Sequence, residues 1–497
     1  MKEVNVEELN SPQIDLGEIK QKAVRGVVAL TGRTFFLQII SFFGFFLLTV
    51  FLNQAQIGLF FAVSELIGIL GYFSDIGLAA ALIQKKEKPE LKEIRSTFTI
   101  QQFIVLFLVS LVFIFTPFLR NFYNISNEGV WLLWALAFGF FLASLKTIPS
   151  VLLERDLKFE FLVLVEIAET LVFYLIAVVL AWRGFGVLSY AWAVLLRGIV
   201  GVILIYIINP WKIGFSFDFA SLKKLLSFGI PYQGNTFLAV IKDRLMNVFL
   251  WKIIGAEGVG ILGWAQKWAQ APLRFFMDPV MKVTFPAYSR MQTNKETLNK
   301  AIEKTLFFVS FLTFSMLIGA VVLIKPLIFL IPKYQKWEVA ILAFSLYAFN
   351  SAWGAVTTPL TNALSAVGKI KTVFKLMIMW TGLTWIFYPL FAFKFGYNGV
   401  AAASALVSIS SIVAIIIAQK TFGFSFWSSI NKSFSASLLM GGFLFFATPL
   451  FARNFFSLIS LILLGGGFYL GLIYFLTRGE IINDVKLLWR QFKAGRS

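Results

Sequence analysis

Five polar side chains recur every three or four residues in "LGWAQKWAQAPLRFFMDPVMK", an otherwise apolar stretch from Leu262 to Lys282. They are Lys267, Gln270, Arg274, Asp278 and Lys282. A helix turns by about 100° per residue, which would place them within an arc of about 120°. An isolated ion at the centre of a bilayer costs about 2.5–3.5 kcal/mol, so this arc is predicted to face water or other charges. Lysine and arginine on it would bind phosphate or carboxylate oxygens without covalent chemistry.

Charged side chains in other apolar stretches extend this pattern. The candidates for anion binding are Arg33, Arg197, Lys242, Arg244, Lys267, Gln270 and Arg274. The acidic candidates for binding a coupling ion are Glu65, Asp75, Glu166, Glu169 and Asp278. Because basic groups outnumber acidic ones at the deeper positions, a shared water-filled chamber would concentrate anions. Two alternatives stay open: the deep cations pair with nearby acids for structure alone, and shallower groups such as Arg33 extend to the membrane surface.

Two missing residue types limit the chemistry further. The chain of 497 residues contains no cysteine and no histidine. Disulfides, thiolate metal sites, cysteine nucleophiles and imidazole general bases are therefore excluded. No metal site and no cofactor are expected, and the protein is not expected to be an enzyme.

The elements that must position these side chains are membrane-spanning helices. Hydrophobic residues make up 59% of the chain and charged residues 14%, against about 45–50% and 25% in soluble domains. Fourteen apolar stretches are long enough to cross a hydrocarbon layer of about 30 Å. Their approximate limits are 27–51, 57–84, 98–119, 129–152, 161–182, 186–209, 225–251, 258–288, 305–331, 338–366, 372–393, 396–419, 433–452 and 456–477. The sequence predicts an all-α polytopic membrane protein with about 14 transmembrane helices.

Lysine and arginine are distributed unevenly between the two sides of these spans. The loops on one side carry a roughly fourfold excess of basic residues, which predicts that both termini are cytoplasmic. The expected location is the inner (plasma) membrane, crossed many times. The net charge of +19 is assigned to these loops, so no nucleic-acid partner is expected. The basic tail at 478–497 is predicted to form an amphipathic helix on the inner leaflet or to remain a solvated tail.

Short internal repeats predict two related halves. "TGRTFFL" at Thr31 matches "QGNTFLA" at Gln233, and at the same shift of about 202 residues Gly58 aligns with Gly260. Six spans per half give both halves one orientation, with a pseudo-symmetry axis along the membrane normal. The predicted segments are an N-terminal segment (1–26), an N-lobe of six spans (27–209), a cytoplasmic linker (210–224), a C-lobe of six spans (225–420), two extra spans (433–477) and the tail (478–497).

The chain resembles the multidrug/oligosaccharidyl-lipid/polysaccharide (MOP) exporter superfamily, and within it the bacterial polysaccharide-transporter flippases. The similarity lies in "QIGLFFAVSELIGILGYFSDIGLAAALIQ", in "ERDLKFEFLVLVEIAETLVFYLIAVVLAWRGFGV", and in "IIGAEGVGILGWAQ" with the later "FPAYSR". The resemblance implies two six-helix lobes around a central cavity that opens alternately to either side. It assigns cavity cations to Arg33, Lys267 and Arg274. Glu65 stands where lipid II flippases would be expected to have a basic residue, which favours a capsule, exopolysaccharide or O-antigen unit as cargo.

The function implied by this resemblance is translocation of an undecaprenyl-diphosphate-linked oligosaccharide across the inner membrane. The last two spans would help to form a groove for the polyprenyl tail. Membrane lipids and a coupling H+ or Na+ are further expected partners, a polysaccharide polymerase is a candidate associate, and the transporter is expected to be monomeric. One alternative is an ion-coupled multidrug antiporter of the same superfamily, which the basic deep sites disfavour. The other is a membrane polysaccharide polymerase, which the short outer loops disfavour.

Overall fold

The computed structural model describes residues 16–74, 77–85, 87, 89–218 and 240–477, with the backbone alone for 16–33 and for Asp278. This part of the chain is all-α and contains no β-strand. Asp75, residues 219–224 of the predicted linker, the start of the seventh predicted span and the basic tail lie outside the described residues. So do the side chains of Arg33 and Asp278. The predicted fold class is confirmed.

Eight helices make up the described part of the predicted N-lobe. They are α1 (Leu16–Phe51), α2 (Gln54–Phe73), α3 (Leu78–Gln84), α4 (Leu91–Tyr123), α5 (Asn127–Leu145), α6 (Thr147–Arg155), α7 (Phe159–Trp182) and α8 (Leu188–Ile208). The turn from α1 to α2 is set by Asn53, whose side chain accepts from the backbone N–H of Gln56 at 2.9 Å while Gln56 caps Asn53 in return. This reciprocal capping satisfies backbone donors at the start of α2.

The remaining described helices begin with a short π-helix at Ile241–Leu245. They continue as α9 (Met246–Ala269), α10 (Ala271–Met291), α11 (Lys295–Leu330), a 3-10 helix (Gln335–Ala340), α12 (Ile341–Ala366), α13 (Ile370–Ile409), α14 (Ile412–Phe422), α15 (Phe426–Phe451) and α16 (Phe455–Leu476). Helix α15 packs between α11 and α16, so the last two predicted spans lie against the C-lobe.

Two glycines divide long helical segments into separate spans. Among the described residues twelve helical segments are long and apolar enough to cross a membrane. Two of them, Ile241–Met277 and Ile370–Phe422, each cover two of the predicted spans. Each contains a glycine with positive φ, at Gly255 (69°) and Gly396 (59°), where the helix breaks. Only glycine adopts this conformation without strain, so the chain turns back at these points.

Two predicted spans are shorter than the hydropathy suggested. The span at 57–84 ends at Phe73, and its last part forms the separate short helix α3 after Gly77, whose φ is 76°. The span at 129–152 is likewise divided into α5 and α6 at Lys146. Hydropathy averages over such turns because the residues on either side remain apolar.

The two lobes meet where α2 packs along α9. The glycines aligned by the internal repeat, Gly58 and Gly260, lie against each other at this contact. A Cβ on Gly58 would overlap the carbonyl oxygen of Ala256, and a Cβ on Gly260 would overlap that of Gln54. Small residues at both positions are therefore required for the close approach of the two helices.

Candidate functional site

A polar cavity of about 310 Å³ lies between α1, α7 and the junction of α9 with α10. Its walls combine polar and charged groups with aromatic rings. The lining residues are Thr34, Leu37, Gln38, Ser41, Phe42, Phe45, Glu166, Lys267, Trp268, Ala271, Arg274 and Phe275. The structure thus brings two of the predicted cations, Lys267 and Arg274, into one cavity within the membrane-spanning part of the protein.

Lys267 lies in the last turn of α9. Its ammonium nitrogen is 4.1 Å from the centre of the Phe45 ring, a cation–π contact that partly replaces the lost hydration. Within the described part of the chain, no carboxylate lies within ion-pair distance of this nitrogen. Among the described residues, the neighbour of the Lys267 ammonium is thus an aromatic ring and not a carboxylate.

Arg274 lies in the first turn of α10 and is exposed to the cavity. Its Nη2 donates to Oε1 of Gln270 at 3.1 Å, and its backbone carbonyl accepts from Nε2 of Gln38 at 2.6 Å. Gln270 thus orients the guanidinium, and Gln38 ties α10 to α1. The remaining guanidinium donors can form a fork for two phosphate oxygens.

Three neutral polar residues of α1 complete this wall, and the sequence analysis did not single them out. Thr34, Gln38 and Ser41 are spaced by four and three residues, which puts them on one helical face toward the cavity. The Tyr174 ring packs across Gly44 on the same helix. The signal was present in "TFFLQIIS", but a search restricted to charged residues passes over it.

Of the predicted acidic candidates whose side chains the structure describes, Glu166 of α7 lines the cavity. A carboxylate facing two cations lowers the net positive charge of the cavity without abolishing it.

Arg197 and Glu169 lie in a separate cluster inside the N-lobe. The Glu169 carboxylate accepts from the Lys146 ammonium, and Arg197 Nε lies 3.7 Å from its second oxygen. The Glu169 side chain is only 6% exposed, and a Cβ on Gly201 would overlap it. One buried carboxylate thus lies between two cations, one of them half exposed, and neither cation is among the residues that line the polar cavity.

Two further predicted cations have acidic neighbours near the lobe interface. Arg244 Nη1 lies 3.4 Å from Oε2 of Glu65, which joins the start of the C-lobe to α2 of the N-lobe. Lys242 Nζ lies 3.4 Å from Oδ1 of Asp243. Gly68 provides the space for the Arg244 guanidinium on α2. Of the predicted cations whose side chains are described, two therefore line the cavity and the other three have acidic neighbours.

Trp268 lines the cavity, whereas two other tryptophans of α9 are buried away from it. Trp264 is fully buried and stacks on Trp337, with ring centres 5.2 Å apart. Trp251 is buried against Tyr123. Within the described residues no cluster of three or more acidic side chains could hold a metal ion.

Solved structures share this architecture. The inward-closed lipid II flippase MurJ aligns with a TM-score of 0.72 at 19% identity, covering 92% of this chain and all of that one. An inward-facing multidrug resistance MATE transporter of the MOP superfamily aligns with a TM-score of 0.57 at 18% identity, covering 78% of this chain and 94% of its own. At these identities the likeness shows the fold.

Curated relatives agree with the fold. The chain is 22% identical to the teichuronic acid biosynthesis protein TuaB of Bacillus subtilis, covering 74% of this chain and 77% of TuaB. It is also 22% identical to the lipopolysaccharide biosynthesis protein WzxC of Escherichia coli, covering 68% of each. The family model described as "Polysaccharide biosynthesis protein" matches residues 47–342, more than half of the chain. This multi-pass membrane protein therefore belongs to the polysaccharide biosynthesis protein family.

Proposed function

We propose that the protein is a flippase that moves a polyprenyl-diphosphate-linked oligosaccharide from the inner to the outer leaflet of the plasma membrane. The observation that carries this proposal is the placement of Lys267 and Arg274 in one cavity between membrane helices. A diphosphate crossing hydrocarbon meets a large desolvation barrier, which cations in a low-dielectric cavity lower. Lysine would follow the moving phosphates and arginine would hold two of their oxygens.

The relatives support a polymer precursor as cargo. Beyond TuaB and WzxC, the chain is 21% identical to the succinoglycan biosynthesis transport protein ExoT of Rhizobium meliloti. We infer a capsule, exopolysaccharide or O-antigen unit as the glycan, with Trp268 and Phe42 as rings on which a sugar could stack. In this proposal both termini are cytoplasmic, and the cargo moves from the cytoplasmic leaflet to the outer leaflet.

The polyprenyl tail requires an apolar path beside the polar cavity. A second cavity, of about 540 Å³, lies between α11, α12 and α15 and is lined almost entirely by apolar side chains. Phe314, Trp353, Trp427 and Phe434 are among its residues. We propose that this space accommodates part of the tail while the headgroup occupies the polar cavity. In this scheme α15 and α16 extend the two-lobe transporter with a lipid-binding surface.

The driving force in this proposal is an ion gradient, and Glu166 is the proposed ion-binding group because it shares the cavity with the two cations. The proposed transporter consists of an N-lobe at 27–209, a C-lobe at 225–420 and two extra spans at 433–477.

The test is transport of fluorescent polyprenyl-diphosphate sugars in proteoliposomes by Arg274→Gln and Lys325→Gln variants. Arg274→Gln removes the charged fork, and the initial transport rate should fall roughly ten- to hundredfold, as expected for loss of hydrogen bonds to a charged group. Lys325, exposed on α11 outside the polar cavity, is the matched control and should retain the rate of the unmodified protein. Equal rates for both variants, or efflux of organic cations unaffected by Arg274→Gln, would refute the proposal.

A further inference from the structure

A compact set of hydrogen bonds closes one end of the lobe interface. The residues that form it do not line the polar cavity. The segment between α11 and α12 packs on the C-terminal end of α1 and on α9. We name this contact the outer lock and define it by Thr49, Trp264, Tyr334, Lys336 and Trp337. It lies at the α1–α2 turn, the end that the distribution of basic residues assigns to the outside.

Lys336 binds the end of α1. Its ammonium group donates to the carbonyl oxygens of Val50 at 2.8 Å and Leu52 at 2.6 Å. Helix α1 ends at Phe51, so these carbonyls belong to its open C-terminal turn, where partial negative charge accumulates. The backbone carbonyl of Lys336 in turn accepts from the side chain of Gln54. One residue of the C-lobe thus bonds both sides of the α1–α2 turn in the N-lobe.

Aromatic residues seal the contact beneath Lys336. Trp337 Nε1 donates to the carbonyl of Thr49 at 2.8 Å, and the Thr49 hydroxyl lies 3.1 Å from the Tyr334 hydroxyl. Trp264 Nε1 donates to the same tyrosine hydroxyl at 3.0 Å. Thr49, Trp264 and Trp337 have no solvent exposure, and Tyr334 has 1%. The polar atoms of this seal are therefore mutually satisfied and shielded from water.

The lock and the polar cavity share one helix. Ser41, which lines the cavity, precedes Val50 by nine residues on α1, a distance of about 13 Å along the helix axis. A helix of this length moves nearly as a rigid rod, so a force on its cavity face is transmitted to its outer end. Cargo that pulls Thr34, Gln38 or Ser41 would act on the carbonyls that Lys336 holds.

We propose that the outer lock keeps the outer end of the lobe interface closed and that Lys336 is released from α1 whenever the cavity opens outward. This inference rests on the proposed alternating-access transport, but the lock itself can be observed without cargo. Buried but polar contacts suit such a role because water can replace them when the lobes separate, whereas a continuous apolar core would resist opening.

The absence of native cysteine permits a direct test. A single Thr49→Cys substitution places a thiol in the lock, and its reaction with a water-soluble maleimide in detergent-purified protein reports opening. In a double variant that carries Thr49→Cys and Lys336→Met, we expect the labelling rate to rise about tenfold or more. This is the effect expected when charge-assisted hydrogen bonds are lost. Lys333→Met is the matched control, because Lys333 lies exposed in the same segment and should leave the rate unchanged. Gln335→Cys, exposed in the same segment, sets the rate for a fully accessible thiol.

Two results would overturn the proposal. One is labelling of Thr49→Cys as fast as Gln335→Cys in the otherwise unmodified protein, which would show that no lock is formed. The other is an equal effect of the Lys336 and Lys333 substitutions. Because labelling needs no cargo, failure of the flippase proposal would leave these results unaffected. Should Lys336→Met fail to fold, Trp337→Phe removes the indole donor to Thr49 and should raise the labelling rate in the same direction.

Discussion

Glu169 illustrates how a charge inside a membrane protein can be structural. Its carboxylate lies between Lys146 and Arg197 and is almost inaccessible to water. Removing one member of a buried cluster leaves the others uncompensated, which costs more than the cluster itself contributes.

Glu169→Gln is therefore expected to lower the free energy of unfolding. Arg197 retains 46% exposure of its side chain, so solvent offsets part of the loss and we expect about 2 kcal/mol. The measurement is thermal unfolding of the purified protein in detergent. Glu160→Gln, an exposed carboxylate in the first turn of α7, is the control and should change stability little. Equal unfolding temperatures for the two variants would show that the cluster is not structural.

For individual residues, the sequence predicts which charged side chains lie in apolar surroundings, but it does not predict which of them form ion pairs. The apolar context of Lys267 and Arg274 predicted that both avoid lipid, and the structure places both in a cavity. The same context surrounds Arg197 and Arg244, which have acidic neighbours instead. Whether a buried cation meets a carboxylate depends on which helices are adjacent, and helical periodicity contains no such information.

Among the helices, the contact of α2 with α9 depends on two glycines. Gly58 and Gly260 were aligned from the internal repeat, and in the structure they touch across the lobe interface. Equivalent residues of two related halves meet in this way when both lie near the pseudo-symmetry axis.

Gly260→Ala is expected to destabilise the protein by about 1–3 kcal/mol, since the added methyl group would overlap the backbone of Gln54 and force the helices apart. Thermal unfolding in detergent again provides the measurement. The matched control is Gly442→Ala in α15, because a Cβ there meets no heavy atom within 4 Å. The interpretation fails if Gly260→Ala unfolds at the same temperature as the control.

For the whole molecule, the proposed mechanism requires the lobes to rock against each other. Spin labels at Asn127→Cys and Glu338→Cys would report the outer end, and labels at Asp156→Cys and Lys371→Cys the inner end. All four positions are exposed, and no native cysteine competes for the label. On addition of a polyprenyl-diphosphate sugar, pulsed electron paramagnetic resonance should show the outer distance widening and the inner distance narrowing by several ångströms.

The control for this experiment is the same pair of distances in an Arg274→Gln background, where cargo binds weakly and both distances should stay near their cargo-free values. Distances that do not respond to cargo in the unmodified background would argue against alternating access.

The membrane class, the number of spans and the two related halves followed from the sequence, because hydropathy and repeat spacing are properties of short stretches of chain. The tertiary structure decided which of the described charges line the cavity and which have an opposite charge beside them, added Thr34, Gln38 and Ser41 to the cavity, and brought Lys336 to the end of α1. These features join residues that are far apart in sequence. Their energies depend on distances of a few ångströms between helices, and only the packed arrangement of the chain sets such distances.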